Sequence, residues 1–272
     1  MDAALDLLLL KVSIAPAFIG LLSWIAQRYG HRTAGWLVAL PVNTGSVLLV
    51  LALTEGTPFA SGAALGALLG VVSLSVFSIG YARSTHRFTW PICLAIAAAS
   101  FTVSTAILTK VPEIVELDLA AAVAALIGVL ALLPKPGRSV SAPPAPGWEI
   151  PLRMLTAALL VLTITTLASA LGPQLSGLLS PVPVFTITLV IFTHSRYGPA
   201  PVLDFLAGLL YGMFGFAAFC AVAAVLIEPY GIAIGLSAGL AAFLAVFALA
   251  RWLIPGASRE GRSSSETSAP GS

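Results

Sequence analysis

The most constraining feature of this sequence is a series of apolar stretches that are each long enough to cross a lipid bilayer. A membrane-spanning helix needs about 20 mainly apolar residues. Nine such stretches occur, at about 5–27, 33–54, 58–82, 88–109, 116–134, 152–171, 174–195, 200–227 and 231–253. We therefore predict an all-α polytopic membrane protein with nine transmembrane helices.

The composition supports this class, because only 9% of the 272 residues are charged while 58% are hydrophobic. A soluble domain has roughly a quarter of its residues charged. The net charge of +2 is too small to indicate a nucleic-acid partner, so the expected partner is the lipid bilayer. Cys93 and Cys220 both lie in apolar stretches, and we expect buried thiols rather than a disulfide.

Two segments lack the apolar pattern. Residues 135–151, "KPGRSVSAPPAPGWEIP", are rich in proline and serine and are predicted to form a cytoplasmic linker. Residues 255–272 contain few apolar side chains and are predicted to be a disordered cytoplasmic tail. The first apolar stretch is too long for the core of a signal peptide, so we expect it to be retained as a span.

The distribution of basic residues predicts the orientation of the chain. With the N-terminus outside, eleven Lys and Arg residues fall on the cytoplasmic side, and only Lys11 and Lys110 fall on the other. Cytoplasmic loops of membrane proteins carry an excess of Lys and Arg. The sequence therefore predicts an N-out/C-in topology.

An internal repeat appears when the sequence is shifted by 142 residues. The stretch "GHRTAGWLVALPVNTGSVLLV" then aligns with "GPQLSGLLSPVPVFTITLVIF", and eleven identities occur in 48 columns. Many of these identities are Gly or Pro, whose backbone roles are specific, so they carry more information than a shared apolar bias. The alternative is coincidence between two segments of biased composition.

The repeat divides the chain into five parts. Residues 1–110 form the first four-helix repeat, 111–134 a linking transmembrane helix, and 152–254 the second four-helix repeat, with the linker and tail as above. One extra crossing between the repeats inverts the second copy, which gives a 4+1+4 inverted-topology repeat. Such repeats are typical of secondary transporters.

A proline interrupts the second span of each repeat at a similar depth. Pro41 and Pro183 lie roughly 12–14 Å from opposite faces of a hydrocarbon core about 30 Å thick. A proline removes one helix hydrogen bond and displaces the carbonyl four residues earlier, which is that of Leu37 in the first copy. The candidate substrate-binding residues are Pro41, Asn43, Thr44, Ser46, Pro183, Thr186 and Thr188. Alternatively, their polar side chains satisfy the local backbone and a neighbouring helix.

Other candidate residues are few. Lys11, Asp204 and His194 are candidates for ion coupling or gating, and the alternative is that they anchor the helices at the interface. Gly66, Gly70, Gly208 and Gly212 recur every four residues in their helices and are predicted to pack against other helices. The sequence has no catalytic motif, metal-ligand spacing or phosphate-binding glycine loop, so we expect no enzyme activity, metal or cofactor.

The stretches "GWLVALPVNTG" and "GLLSPVPVFT" resemble the second span of small four-helix bacterial inner-membrane proteins of the GlpM-like type. The resemblance rests on the Gly35/Gly177 and Pro41/Pro183 pairs. It implies a fused tandem of two such units in a bacterial cytoplasmic (inner) membrane. The family implies no defined chemistry.

These observations predict a small secondary transporter or exporter of a small, largely neutral or amphipathic solute. Its site would lie near the midplane, between the two proline-broken spans, and would alternate in access between the two sides. The alternatives are a non-transporting membrane scaffold or assembly factor, and a passive channel. The sequence leaves open whether the chain forms a homo-oligomer.

Overall fold

The computed structural model describes residues 3–110, 114–135, 148–171 and 184–253. Within these ranges the chain forms α-helices and no strands, which confirms the all-α prediction. The helices are α1 (Ala3–Tyr29), α2 (His31–Val38), α3 (Val42–Thr54), α4 (Thr57–Ser84), α5 (Trp90–Leu108), α6 (Val115–Leu132), α7 (Glu149–Leu171), α8 (Val184–Tyr197), α9 (Pro199–Tyr230) and α10 (Ile232–Leu253). Pro183, most of the predicted linker and the predicted tail lie outside the described residues.

Five of these helices are long and apolar enough to cross a membrane, judged by length and composition. They are α4, α5, α6, α9 and the part of α10 that ends at Ala250. The fold therefore fits a membrane protein. Helices α1 and α7 are 27 and 23 residues long and cover the predicted stretches 5–27 and 152–171. The count of nine spans and their orientation remain predictions.

Helix α7 begins within the segment that the sequence assigns to the linker. Its first residue is Glu149, so the last three residues of the predicted 135–151 segment are helical. A carboxylate in the first turn interacts favourably with the positive end of the helix. Pro151 also lies in this first turn, where its missing N–H removes no intrahelical hydrogen bond.

The predicted second span, 33–54, consists of two helices. Helix α2 ends at Val38 and α3 begins at Val42, so the interruption coincides with Pro41. The proline cannot donate to the carbonyl four residues earlier, and its ring would clash with that carbonyl in a continuous helix.

Helices α4 and α9 form the buried centre of the bundle. They pack against each other, and half or more of the most apolar stretch of each is buried, compared with about a fifth in α5, α6 and α10. Helix α5 packs beside α4, α10 packs beside α9, and α6 contacts both central helices. The outer helices expose large apolar side chains such as Ile107, Ile127 and Leu249, which suits contact with lipid.

The starts of the central helices recur along the chain at the predicted interval. Helix α4 begins at Thr57 and α9 at Pro199, while α5 begins at Trp90 and α10 at Ile232, and both pairs are 142 residues apart. Gly56 and Gly198 precede the central helices with φ angles of 96° and 76°. Side chains disfavour this left-handed conformation, and each helix then has a proline in its first turn.

Helices α2 and α9 approach each other at backbone distance through glycines. A Cβ on Gly35 would lie 2.1 Å from the carbonyl oxygen of Phe205, and one on Gly208 would lie 2.1 Å from that of Arg32. A Cβ on Gly212 would lie 2.6 Å from the Cβ of Ala39. Any side chain at these positions would push the helices apart, as in other small-residue contacts between membrane helices.

The glycines at the aligned positions of α4 have a different environment. A Cβ on Gly66 would have no described atom within 4 Å, and Gly66 is exposed. Gly70 is half-buried. Gly66 therefore makes no close helix contact within the described part of the chain, although the repeat aligns it with Gly208.

We expect Gly208→Ala to destabilise the folded protein, because the new methyl group would force α2 and α9 apart. Overpacking of this kind typically costs roughly 1–3 kcal/mol. The thermal unfolding midpoint in detergent measures the effect. Gly66→Ala is the matched control and should be neutral or stabilising, since alanine favours a helix over glycine by about 1 kcal/mol. Equal midpoints for the two variants would contradict this account of the contact.

Candidate functional site

The interruption at Pro41 is a compact turn between α2 and α3. The Ala39 N–H donates to the Trp36 carbonyl at 3.3 Å, and the Leu40 N–H donates to the Leu37 carbonyl at 3.2 Å. The expectation that the Leu37 carbonyl is left free is therefore wrong. The last turn of α2 tightens, and the amide three residues later replaces the one that the proline lacks. Pro41 itself is buried.

The polar side chains near this break fall into two groups. The hydroxyl of Ser46 donates to the Val42 carbonyl at 2.8 Å, and that of Thr188 donates to the Val184 carbonyl at 2.9 Å. Both hydroxyls therefore bond to their own helices.

The remaining candidates keep different degrees of access. Thr186 is buried and Thr44 is half-buried. The backbone of Asn43 lies in the first turn of α3, whereas its side chain is outside the description, as is Pro183.

The two halves of the predicted midplane site lie on helices with different neighbours. Helix α3, with Thr44 and Ser46, packs against α4 and α10. Helix α8, with Thr186 and Thr188, packs mainly against α9 and α7 and also contacts α5, α1 and α2. Among the described residues, α3 and α8 share no broad interface. The central pair α4 and α9 therefore connects the two groups.

A buried ion-pair cluster lies elsewhere, where α1, α7 and α8 meet. Arg153 and Glu149 are only 1% and 3% exposed, and Arg153 Nη2 pairs with Glu149 Oε1. Arg196 Nε lies 2.9 Å from Glu149 Oε2, and Arg153 Nη1 donates to the Ser23 hydroxyl at 3.5 Å. One carboxylate thus holds two guanidinium groups. We call these four residues the Glu149 cluster.

Aromatic side chains surround the Glu149 cluster. The guanidinium carbon of Arg153 lies 5.4 Å from the centre of the Phe192 ring, and that of Arg196 lies 5.7 Å from the Tyr197 ring. The His31 ring packs edge-on against Tyr197 at 5.1 Å. Burial, together with the nearby charge of Arg153, lowers the pKa of His31 to about 4, so this histidine is neutral near pH 7.

The sequence carried one signal for this cluster. The stretch "EIPLR" spaces Glu149 and Arg153 four residues apart, which places them side by side on a helix. The prediction of a linker up to residue 151 separated the two residues. Their burial and the approach of Arg196 depend on how α7 and α8 pack, which spacing alone does not reveal.

The three candidates for coupling or gating have different surroundings. The Nδ1 atom of His194 lies 3.1 Å from the Tyr81 hydroxyl, which joins α8 to the central helix α4. Asp204 is half-buried in α9. The backbone of Lys11 lies in α1, and its side chain is outside the description.

A further acidic residue, Asp118, was not among the predicted candidates. It lies in the first turn of α6, is 1% exposed, and its Oδ2 atom has no hydrogen-bond partner among the described residues. Buried carboxylates of this kind are costly in a membrane and are common in functional sites.

Comparisons with known proteins give no functional assignment. No family model, no curated protein and no solved structure matches the chain. The resemblance to GlpM-like proteins therefore stays a prediction. In the part of the chain that the structure describes, no group of three or more His, Cys, Asp or Glu side chains could hold a metal ion.

We expect Glu149→Gln to lower the stability strongly, because it leaves Arg153 and Arg196 without their shared carboxylate. Removing one partner of a buried ion pair typically costs about 3–5 kcal/mol. The midpoint of thermal unfolding in detergent tests this, with Glu116→Gln on the exposed face of α6 as the control. Equal midpoints for the two variants would show that the carboxylate is not needed to hold the two arginines.

Protonation of His31 should destabilise the protein as the pH falls. The unfolded chain takes up this proton near pH 6.5, but the folded chain takes it up only near pH 4. The stability contributed by neutral His31 is therefore complete above pH 6.5 and is lost between 6.5 and about 4. Midpoints measured over this range should fall less steeply for His31→Gln than for the wild type. Parallel curves would contradict the assignment.

Proposed function

We propose that this protein is a small secondary transporter or exporter built from two inverted four-helix repeats joined by α6. The observation that carries the proposal is the repetition of helix starts. Helices α4 and α9, and then α5 and α10, begin 142 residues apart, and the glycines before α4 and α9 adopt left-handed conformations. Symmetry of this kind gives a transporter two related conformations, each open to one side.

The contacts between helices support the same relationship. If α1, α2–α3, α4 and α5 correspond to α7, the 174–195 span, α9 and α10, contacts should occur in matched pairs. The α4–α5 contact matches α9–α10, α3–α4 matches α8–α9, and α5–α8 matches α10–α3. The α4–α9 and α1–α7 contacts each map onto themselves, and α6 touches both central helices.

The proposed topology follows from counting the crossings. Helices α2 and α3 together make one interrupted crossing, and α6 is the crossing between the repeats. With the 174–195 stretch as a crossing, the total is nine, and the second repeat is inverted relative to the first. The excess of basic residues on one side supports an N-out/C-in chain, and the proposed location is a bacterial cytoplasmic membrane.

The proposed binding region lies around the break at Pro41 and the start of α8. Its candidate side chains are hydroxyls and one amide, at Asn43, Thr44 and Thr186, so the solute would be small and recognised by hydrogen bonds. The Glu149 cluster gathers the ends of α1, α7 and α8 and would close the cytoplasmic end of the pathway. Breaking and remaking such ion pairs is one way in which a transporter changes state.

Solute exchange in proteoliposomes tests the proposal. Wild-type protein should accumulate at least one solute from a panel of small neutral and zwitterionic metabolites, and unlabelled solute inside should accelerate uptake. Pro41→Ala should reduce this exchange, because α2 and α3 could then merge into a continuous helix. Pro91→Ala, in the exposed first turn of α5, is the matched control and should leave it unchanged.

The same assay separates the alternatives. Flux that does not saturate and is not accelerated by solute on the far side would indicate a channel. A monodisperse wild type that passes no solute of the panel faster than empty liposomes would favour the scaffold or assembly factor. Equal exchange in Pro41→Ala and Pro91→Ala would remove the broken helix from the mechanism.

A further inference from the structure

A cleft with three basic side chains lies at one end of the bundle, where α4 and α6 both end. It has a volume of about 440 Å³ and is lined by Arg83, His86, Arg87, Leu132 and Pro134. The three basic side chains are exposed. The lining contains no acidic residue. The cleft therefore favours an anion.

A second cleft, of about 290 Å³, lies on the side of α4 that faces α5. Arg83 and Arg87 line both clefts. The other residues around the second cleft are mainly apolar: Ile79, Gly80, Ser84, Phe88 and Ile96. Because Ile79 and Gly80 precede Arg83 by about one helical turn, the apolar groove extends from the end of α4 towards the middle of the helix.

The two shared arginines have no counter-charge from the described chain. The ion pairs found among the described residues belong to the Glu149 cluster, and none involves Arg83 or Arg87. Both guanidinium groups are accessible at the junction between the basic cleft and the apolar groove. A ligand that satisfies both clefts must carry an anionic group and an apolar chain at once.

We propose that these clefts form a binding site for an anionic phospholipid. The phosphate lies between Arg83 and Arg87, whose planar guanidinium groups can donate paired hydrogen bonds to its oxygens. One acyl chain lies in the groove along Ile79, Phe88 and Ile96. The exposed Trp90 at the start of α5 places this end of the bundle at the level of the head groups.

A phospholipid fits these observations better than free phosphate does. Inorganic phosphate would use only the basic cleft, and the apolar groove that shares its two arginines would have no role. Basic pockets between membrane helices are known to bind anionic head groups. The proposal does not depend on whether the protein transports a solute.

Native mass spectrometry of the purified full-length protein tests the site. The protein in neutral detergent is mixed with phosphatidylglycerol or with phosphatidylcholine of the same chain length. We expect one tightly retained phosphatidylglycerol and no equivalent retention of phosphatidylcholine. The double variant Arg83→Gln/Arg87→Gln should bind phosphatidylglycerol roughly thirtyfold more weakly. The variant Arg28→Gln, at the exposed end of α1, is the matched control and should bind as the wild type does.

Two further arms separate the head group from the chain. Ile96→Ser should weaken phosphatidylglycerol binding through the groove while both arginines remain. Inorganic phosphate should compete with the lipid only weakly. Equal retention of the two lipids, unchanged binding by the double arginine variant, or inorganic phosphate that competes as well as phosphatidylglycerol would each overturn the proposal. All variants are at exposed positions, and their unfolding midpoints without lipid check that they are folded.

Discussion

The approach of α2 to α9 at backbone distance fixes the broken span relative to the buried centre. Membrane helices gain little from apolar association, because lipid tails are as apolar as their side chains, so close packing must supply the attraction. Gly35, Gly208 and Gly212 permit it, since a Cβ at any of them would lie 2.1–2.6 Å from an atom of the other helix. The position of Pro41 follows from this contact, because it lies only six residues beyond Gly35.

The Glu149 cluster imposes the second constraint, at the other side of α2. A buried charge is tolerated only when it is paired and hydrogen-bonded, and here one carboxylate serves two guanidinium groups while Ser23 accepts a further bond. The cluster therefore requires α1, α7 and α8 to meet. Through the packing of His31 on Tyr197, it also positions the start of α2. Helix α2 is thus held at its first residue by one contact and at its middle by the other.

The sequence predicted the helices well and their contacts less well, for a physical reason. Apolar length, together with Gly56 and Gly198, located the starts of α4 and α9, because these signals act within a few residues. The same alignment assigned Gly66 and Gly208 one role, yet only Gly208 meets another backbone among the described residues. Likewise, the charges of Glu149 and Arg153 were visible, but their burial depends on helices distant in sequence. Close contact and burial are properties of the packed bundle and not of a local pattern.

The contacts also decide which parts of the protein could move together during transport. Helix α2 belongs to the first repeat, but its glycine contact is with α9 of the second. Helix α3 reaches α10, and α8 reaches α5, so each broken span also touches an outer helix of the opposite repeat. Rocking the two repeats as rigid bodies would break the α2–α9 contact, where the backbones already touch. A less costly motion keeps α2 with α9 and bends the chain at Pro41. The moving units of the proposed transporter would then exchange helices between repeats, and the proline break is where that exchange becomes possible.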